Sequence, residues 1–176
     1  MAAKQASEKK ADGDKLANYL TMTGHMCSDI NQGALSAILP FLVVGSGYSY
    51  FEATMLVFAA NIASAVIQPL FGWIGDRKSC PWFMALGIFL AGLGMCGIGF
   101  FEDYWAIVAS AMLSGIGVAM FHPEGGRLAN LAATGTKAGG MSIFAVGGNI
   151  GFFVGPILTA VFLTTFGLHG TLVFLF

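Results

Sequence analysis

Between residues 16 and 44, in otherwise apolar text, His25, Asp29, Gln32 and Ser36 follow one another at intervals of four, three and four. At 100° per residue this spacing gathers an imidazole, a carboxylate, a carboxamide and a hydroxyl on one narrow helix face. A carboxylate one turn from an imidazole can take up and release a proton, and the neutral polar groups beyond it can hydrogen-bond a solute. A second set is Asn61, Ser64 and Gln68, spaced by three and four before Pro69, and a third is Ser110, Ser114 and Gly117. Asn149 stands alone in a later apolar stretch, where a carboxamide needs a partner. These groups either line a wet pathway or serve as structural hydrogen-bond glue, and for the serines back-bonding to their own helix is the plainer use.

The elements that carry these groups follow from composition. Of 176 residues 56% are apolar and only 10% are Asp, Glu, Lys or Arg, a balance that a water-exposed surface does not reach. The reading is an all-α membrane protein. An Asp at mid-bilayer costs about 2.5–3.5 kcal/mol on insertion scales, so the His25–Ser36 stripe must turn away from lipid. Since about 20 helical residues cross a hydrocarbon core, the chain parses into spans at about 16–44, 51–74, 82–100, 105–125 and 138–164, with a sixth, incomplete, at 168–176. Residues 1–15, with Lys4, Lys9, Lys10 and Lys15 and little to bury, are expected to form a mobile tail.

All eight basic residues fall on one side of such a membrane: these four lysines, then Arg77, Lys78, Arg127 and Lys137. Glu52, Glu102 and Asp103 fall on the other, which predicts a cytoplasmic N-terminus in an inner or plasma membrane. A net charge of −1 argues against a nucleic-acid partner. Cys27, Cys80 and Cys96 have no metal-ligand spacing, and no metal or other cofactor is expected. Gly147, Gly151 and Gly155, followed by Pro156, form a row without side chains where a neighbouring helix can approach. The run Phe121-His122-Pro123-Glu124-Gly125-Gly126-Arg127 closes span four, with Glu124 and Arg127 one turn apart, and reads as a gate latch or as a solvated surface pair.

Several of these segments resemble known signatures. Gly72-Trp73-Ile74-Gly75-Asp76-Arg77 is similar to the loop motif G-x-x-x-D-R/K of the major facilitator superfamily, although Ser79, Cys80 and Pro81 replace its usual Gly and basic residues. Gly151-x-x-x-Gly155-Pro156 resembles the first part of the drug/proton antiporter signature, whose closing Gly pair is here Thr159 and Ala160. The combination of His25-Met26-Cys27-Ser28-Asp29, Gln68-Pro69, Pro81-Trp82, Phe121-His122-Pro123-Glu124 with Arg127, and Phe144-Ala145-Val146-Gly147-Gly148-Asn149 is similar to the fosmidomycin resistance protein family. Ala111 stands about where the superfamily usually has an Arg.

The resemblance implies the six-helix amino-terminal domain of a twelve-helix transporter, its sixth helix truncated and its partner a missing carboxy-terminal half. It further implies efflux of a small antimicrobial or metabolite, coupled to protons, by alternating access. His25, Asp29, Gln32, Ser36, Asn61, Gln68 and Asn149 would then form the proton and substrate pathway, and Gly72, Asp76, Arg77, His122, Glu124 and Arg127 a cytoplasmic gate. The competing readings are proton-coupled uptake of a sugar or organic acid, a non-transporting half-size interaction protein, and a membrane enzyme using His122 with Glu124 or His25 with Asp29 as acid and base.

Overall fold

The computed structural model describes residues 2–133 and 136–175, with side chains from residue 14 onward. Five α-helices, α1 (Ala2–Ser46), α2 (Tyr50–Arg77), α3 (Trp82–Phe100), α4 (Tyr104–Leu131) and α5 (Lys137–Phe166), are followed by a 3-10 segment, Gly167–Leu175. Each of the five contains a stretch long and apolar enough to cross a membrane. In α1 this stretch is Asp14–Ser46. The backbone of 2–15, expected as a tail, continues the helix, which its Ala, Lys, Gln and Glu content favours. Met1, Phe176 and the side chains of Lys4, Lys9 and Lys10 lie outside the described residues.

Local chemistry fixes the ends. The α2 start has a reciprocal capping box, Ser49 with Glu52, and Asp103 and Thr136 cap α4 and α5. Two boundaries differ from expectation. Helix α4 runs through Pro123 to Leu131, not to 125, since a proline inside a membrane helix need not end it. The last segment is not the start of an α-helix: Gly167, at φ +61°, breaks α5, and the 3-10 turns fold back onto α3. Thr171 Oγ1 donates to the Cys96 carbonyl at 3.2 Å, and Phe174 is buried over Gly92.

Helix α4 is the hub, packing on α3, α2 and α1, while α1 also packs along α5. The α1–α5 seam is backbone on backbone. A β-carbon at Gly147 would strike the Met22 carbonyl, one at Gly151 that of Met26, and one at Gly155 that of Ile30, so three glycines at four-residue spacing meet three carbonyls at the same spacing. Pro156 follows this row inside α5. The core between the helices is aliphatic, with Leu35, Ile38 and Leu42 of α1, Leu56 of α2, Met95 of α3 and Ile107 of α4 in contact. Ala111 is fully buried in this cluster, so no cation stands at its level of α4. Aromatic side chains exposed at the two ends, Trp73 and Trp82 at one and Tyr50, Phe51 and Trp105 at the other, have the distribution of interfacial belts.

Candidate functional site

Asp29 is the centre of the site. It is 3% exposed, and histidines approach it from two helices: His25 Nε2 lies 3.2 Å from Oδ2, and His122 Nε2 lies 3.3 Å from Oδ1. The first contact is the i, i+4 pair visible in the sequence. The second crosses from α4. Each imidazole is held by its other nitrogen. His25 Nδ1 bonds the Phe144 carbonyl of α5 at 2.8 Å, and His122 Nδ1 bonds the Val118 carbonyl one turn back, also at 2.8 Å. A carbonyl only accepts, so in both rings Nδ1 carries a hydrogen, and a neutral ring then presents a lone pair at Nε2.

With neutral rings, two nitrogen lone pairs and a carboxylate face one another, and protonation of either ring turns the contact into an ion pair. Oδ1 of Asp29 is buried and makes no hydrogen bond among the described residues, its contact being the His122 ring nitrogen at 3.3 Å. Such a convergence is repulsive unless something positive sits within it. The walls are aromatic and glycine. His25 stacks on Phe144 at 4.0 Å, His122 meets its edge at 5.0 Å, and Gly148 of α5 closes the side, where a β-carbon would stand 2.7 Å from both Asp29 Oδ2 and His25 Nε2.

One turn along α1 the helices part around a cavity of about 110 Å³, lined among others by Gln32 and Ser36 of α1, Asn61 and Ser64 of α2, Ser114 of α4 and Phe152 of α5. None of its lining residues is ionisable. Val118 belongs to both features, lining the cavity while its carbonyl holds His122. The cavity has room for a few waters and not for a drug-sized ligand, as befits one wall of a larger space. Of the other pathway candidates, Gln68 and Asn149 are exposed and outside both cluster and cavity. Ser110 bonds its own Ala106 carbonyl and packs against Gly97 of α3.

The gate candidates separate. His122 belongs with Asp29 and not with Glu124, because residues two apart on α4 stand about 200° apart around the helix and meet different neighbours. Glu124 is 1% exposed, so the surface-pair reading does not hold. Its carboxylate accepts from Arg127 Nε at 2.9 Å and Nη2 at 2.6 Å and from the Cys80 amide at 3.1 Å, and the Ser79 hydroxyl bonds both Glu124 and Arg127. This ties α4 to the loop between α2 and α3. Gly75 is buried beside it, its missing β-carbon 3.2 Å from Glu124 Oε2, and Gly72 faces Pro123. Asp76 and Arg77 are exposed, Arg77 lying 3.7 Å over the Trp73 ring.

This arrangement of helices is matched by sequence comparison. The profile of the Major Facilitator Superfamily aligns with residues 21–176. The chain belongs to the major facilitator superfamily. It is thus a multi-pass membrane protein of a transporter family. Among its relatives it is 35% identical, over 85% of its length, to the uncharacterized MFS-type transporter YfnC of Bacillus subtilis, and 32% identical, over 81% of its length, to the fosmidomycin resistance protein of Escherichia coli. A putative multidrug resistance protein, MdtD of Yersinia enterocolitica, is 25% identical over 80%. The chain spans 37% and 35% of the length of the first two, so it covers only part of those proteins.

Sequence reasoning missed the contact between His122 and Asp29, and with it the one group of ligand-type side chains among the described residues: atoms of His25, Asp29 and His122 all lie within 4.8 Å of one another. The expectation of no metal-ligand set rested on short spacings, which a pair from different helices does not obey. The available signal was a second ionisable side chain in the membrane text, His122, directly before Pro123.

Proposed function

We propose that the chain forms the amino-terminal half of a secondary active transporter that exports a small antimicrobial or metabolite in exchange for protons by alternating access. The observation that carries this reading is the His25–Asp29–His122 cluster, buried one turn from a cavity lined by uncharged hydrogen-bonding groups. In a major facilitator protein the solute site lies near the midplane between two six-helix halves, and the Gln32, Ser36 and Asn61 wall supplies this half's share of it. A proton enters the converging lone pairs of the cluster when the site faces one side and leaves when it faces the other. The resistance relatives favour outward export, and the basic loops favour a cytoplasmic N-terminus.

The Glu124–Arg127–Ser79 junction has a separate task. It latches α4 to the α2–α3 loop in the outward-facing state, and its bonds exchange partners as the halves rock. Asp76 and Arg77, exposed beside it, are available to the other half.

The test uses the full-length protein in inverted vesicles, with candidate antimicrobials and small metabolites added one at a time while lumenal pH is followed. Export coupled to protons predicts proton movement out of the acidified lumen on adding the cargo. Substrate flux with no proton movement rejects the coupling, and proton flow in the same direction as the cargo makes the protein an importer.

A further inference from the structure

We propose that His25 Nε2, His122 Nε2 and the Asp29 carboxylate form a binding site for one divalent first-row transition-metal ion, zinc or cobalt by preference. Two imidazoles and a carboxylate are the ligand types such ions take, with a fourth position left to water. The spacing is right. Ligands at about 2.1 Å from a tetrahedral ion stand about 3.4 Å apart, and the two nitrogen–oxygen separations are 3.2 and 3.3 Å. The third separation stays within 4.8 Å.

The outer contacts point the same way. A histidine that ligates through Nε2 characteristically donates Nδ1–H to a backbone carbonyl, which fixes its tautomer and aims its lone pair, and both His25 and His122 do so. A purely structural Asp–His pair does not require both rings in this tautomer. Oδ1 of Asp29 adds to this, being a deeply buried carboxylate oxygen that faces His122 Nε2 at 3.3 Å and makes no hydrogen bond among the described residues. Access is from the His122 side, whose side chain is 23% exposed against 12% for His25 and 4% for Asp29. Among the described residues no other cationic side chain pairs with Asp29, so the ion meets two neutral rings and one negative charge and is offset in part. No soft ligand joins the set, since the three cysteines are free and none belongs to the cluster.

The ion would occupy the same lone pairs that the transport reading gives to a proton, so the two compete, but its binding needs neither a gradient nor a cargo and is tested apart from transport. The experiment is Co²⁺ titration of the full chain purified in detergent, read by visible absorption, with Zn²⁺ added afterwards as competitor. One ion per chain is expected, with the d–d bands of a tetrahedral nitrogen and oxygen site, no thiolate charge-transfer band, and full displacement by Zn²⁺. His122→Ala and Asp29→Asn should each weaken binding at least tenfold, while His169→Ala, remote from the set, should leave it unchanged. His122→Cys guards against loss through misfolding: it should bind Co²⁺ with a new thiolate band. Absence of the d–d bands, bands that survive in His122→Ala and Asp29→Asn, or a thiolate band in the unsubstituted chain would each overturn the proposal.

Discussion

Gly148 stands against Asp29 so closely that a β-carbon would lie 2.7 Å from Oδ2. The cluster therefore depends on a missing side chain on α5 as much as on the charged groups of α1 and α4. Gly148→Ala should push His25 and Asp29 apart and destabilise the fold by about 1–3 kcal/mol, the usual cost of overpacking. Thermal unfolding in detergent measures the loss. Gly126→Ala, where a β-carbon meets nothing within 4 Å, should be neutral or stabilising by about 0.4–1 kcal/mol.

The α1–α5 seam makes a second prediction. Gly151→Leu must displace the Met26 carbonyl and the Ile30 amide, both rigid backbone, so α5 should detach and the protein should fail to accumulate in the membrane. Membrane yield, compared with Val161→Leu on the exposed face of the same helix, is the measurement. Equal yields would remove the seam from the account.

At the α2–α3 loop, removing Arg127 leaves the Glu124 carboxylate buried with only the Cys80 amide and Ser79 hydroxyl to satisfy it. Arg127→Ala should cost about 3 kcal/mol, near the lower end for a broken buried pair because the guanidinium is partly exposed. The double change Arg127→Ala with Glu124→Gln should recover most of that loss, since a neutral carboxamide tolerates the same place. Melting temperatures of the two variants and the unsubstituted protein decide it.

Cavity and cluster should separate kinetically. Gln32→Ala or Asn61→Ala removes about 1 to 1.5 kcal/mol of hydrogen bonding to a solute, so the substrate concentration for half-maximal transport should rise about tenfold while the proton count per substrate is kept. Radiolabelled flux with simultaneous pH recording measures both.

Much of this was legible in the chain. Apolar runs of spanning length and the charged residues between them, Arg77, Lys78, Glu102 and Asp103, marked the spans, and period and polarity placed His25, Asp29, Gln32 and Ser36 on one face. The glycine row of α5 was equally plain, because a repeat of four has one reading on a helix. What the chain could not state was partnership between helices. His122 pairs with an aspartate 93 residues earlier, a relation set by how α4 crosses α1 and by no local spacing. The burial of Glu124 was hidden for a related reason: its pair with Arg127 is local, but the loop that seals it comes from the other end of α3. Asn149 and Gln68 show the converse, polar residues in apolar text that this half leaves exposed.

The most direct test of the account is cargo-induced proton movement in vesicles holding either the full-length transporter or its Asp29→Asn variant, with cargo binding checked in detergent so that a folding loss is excluded. The account predicts a variant that binds cargo and moves no protons. Proton movement at the unsubstituted rate in Asp29→Asn would contradict it.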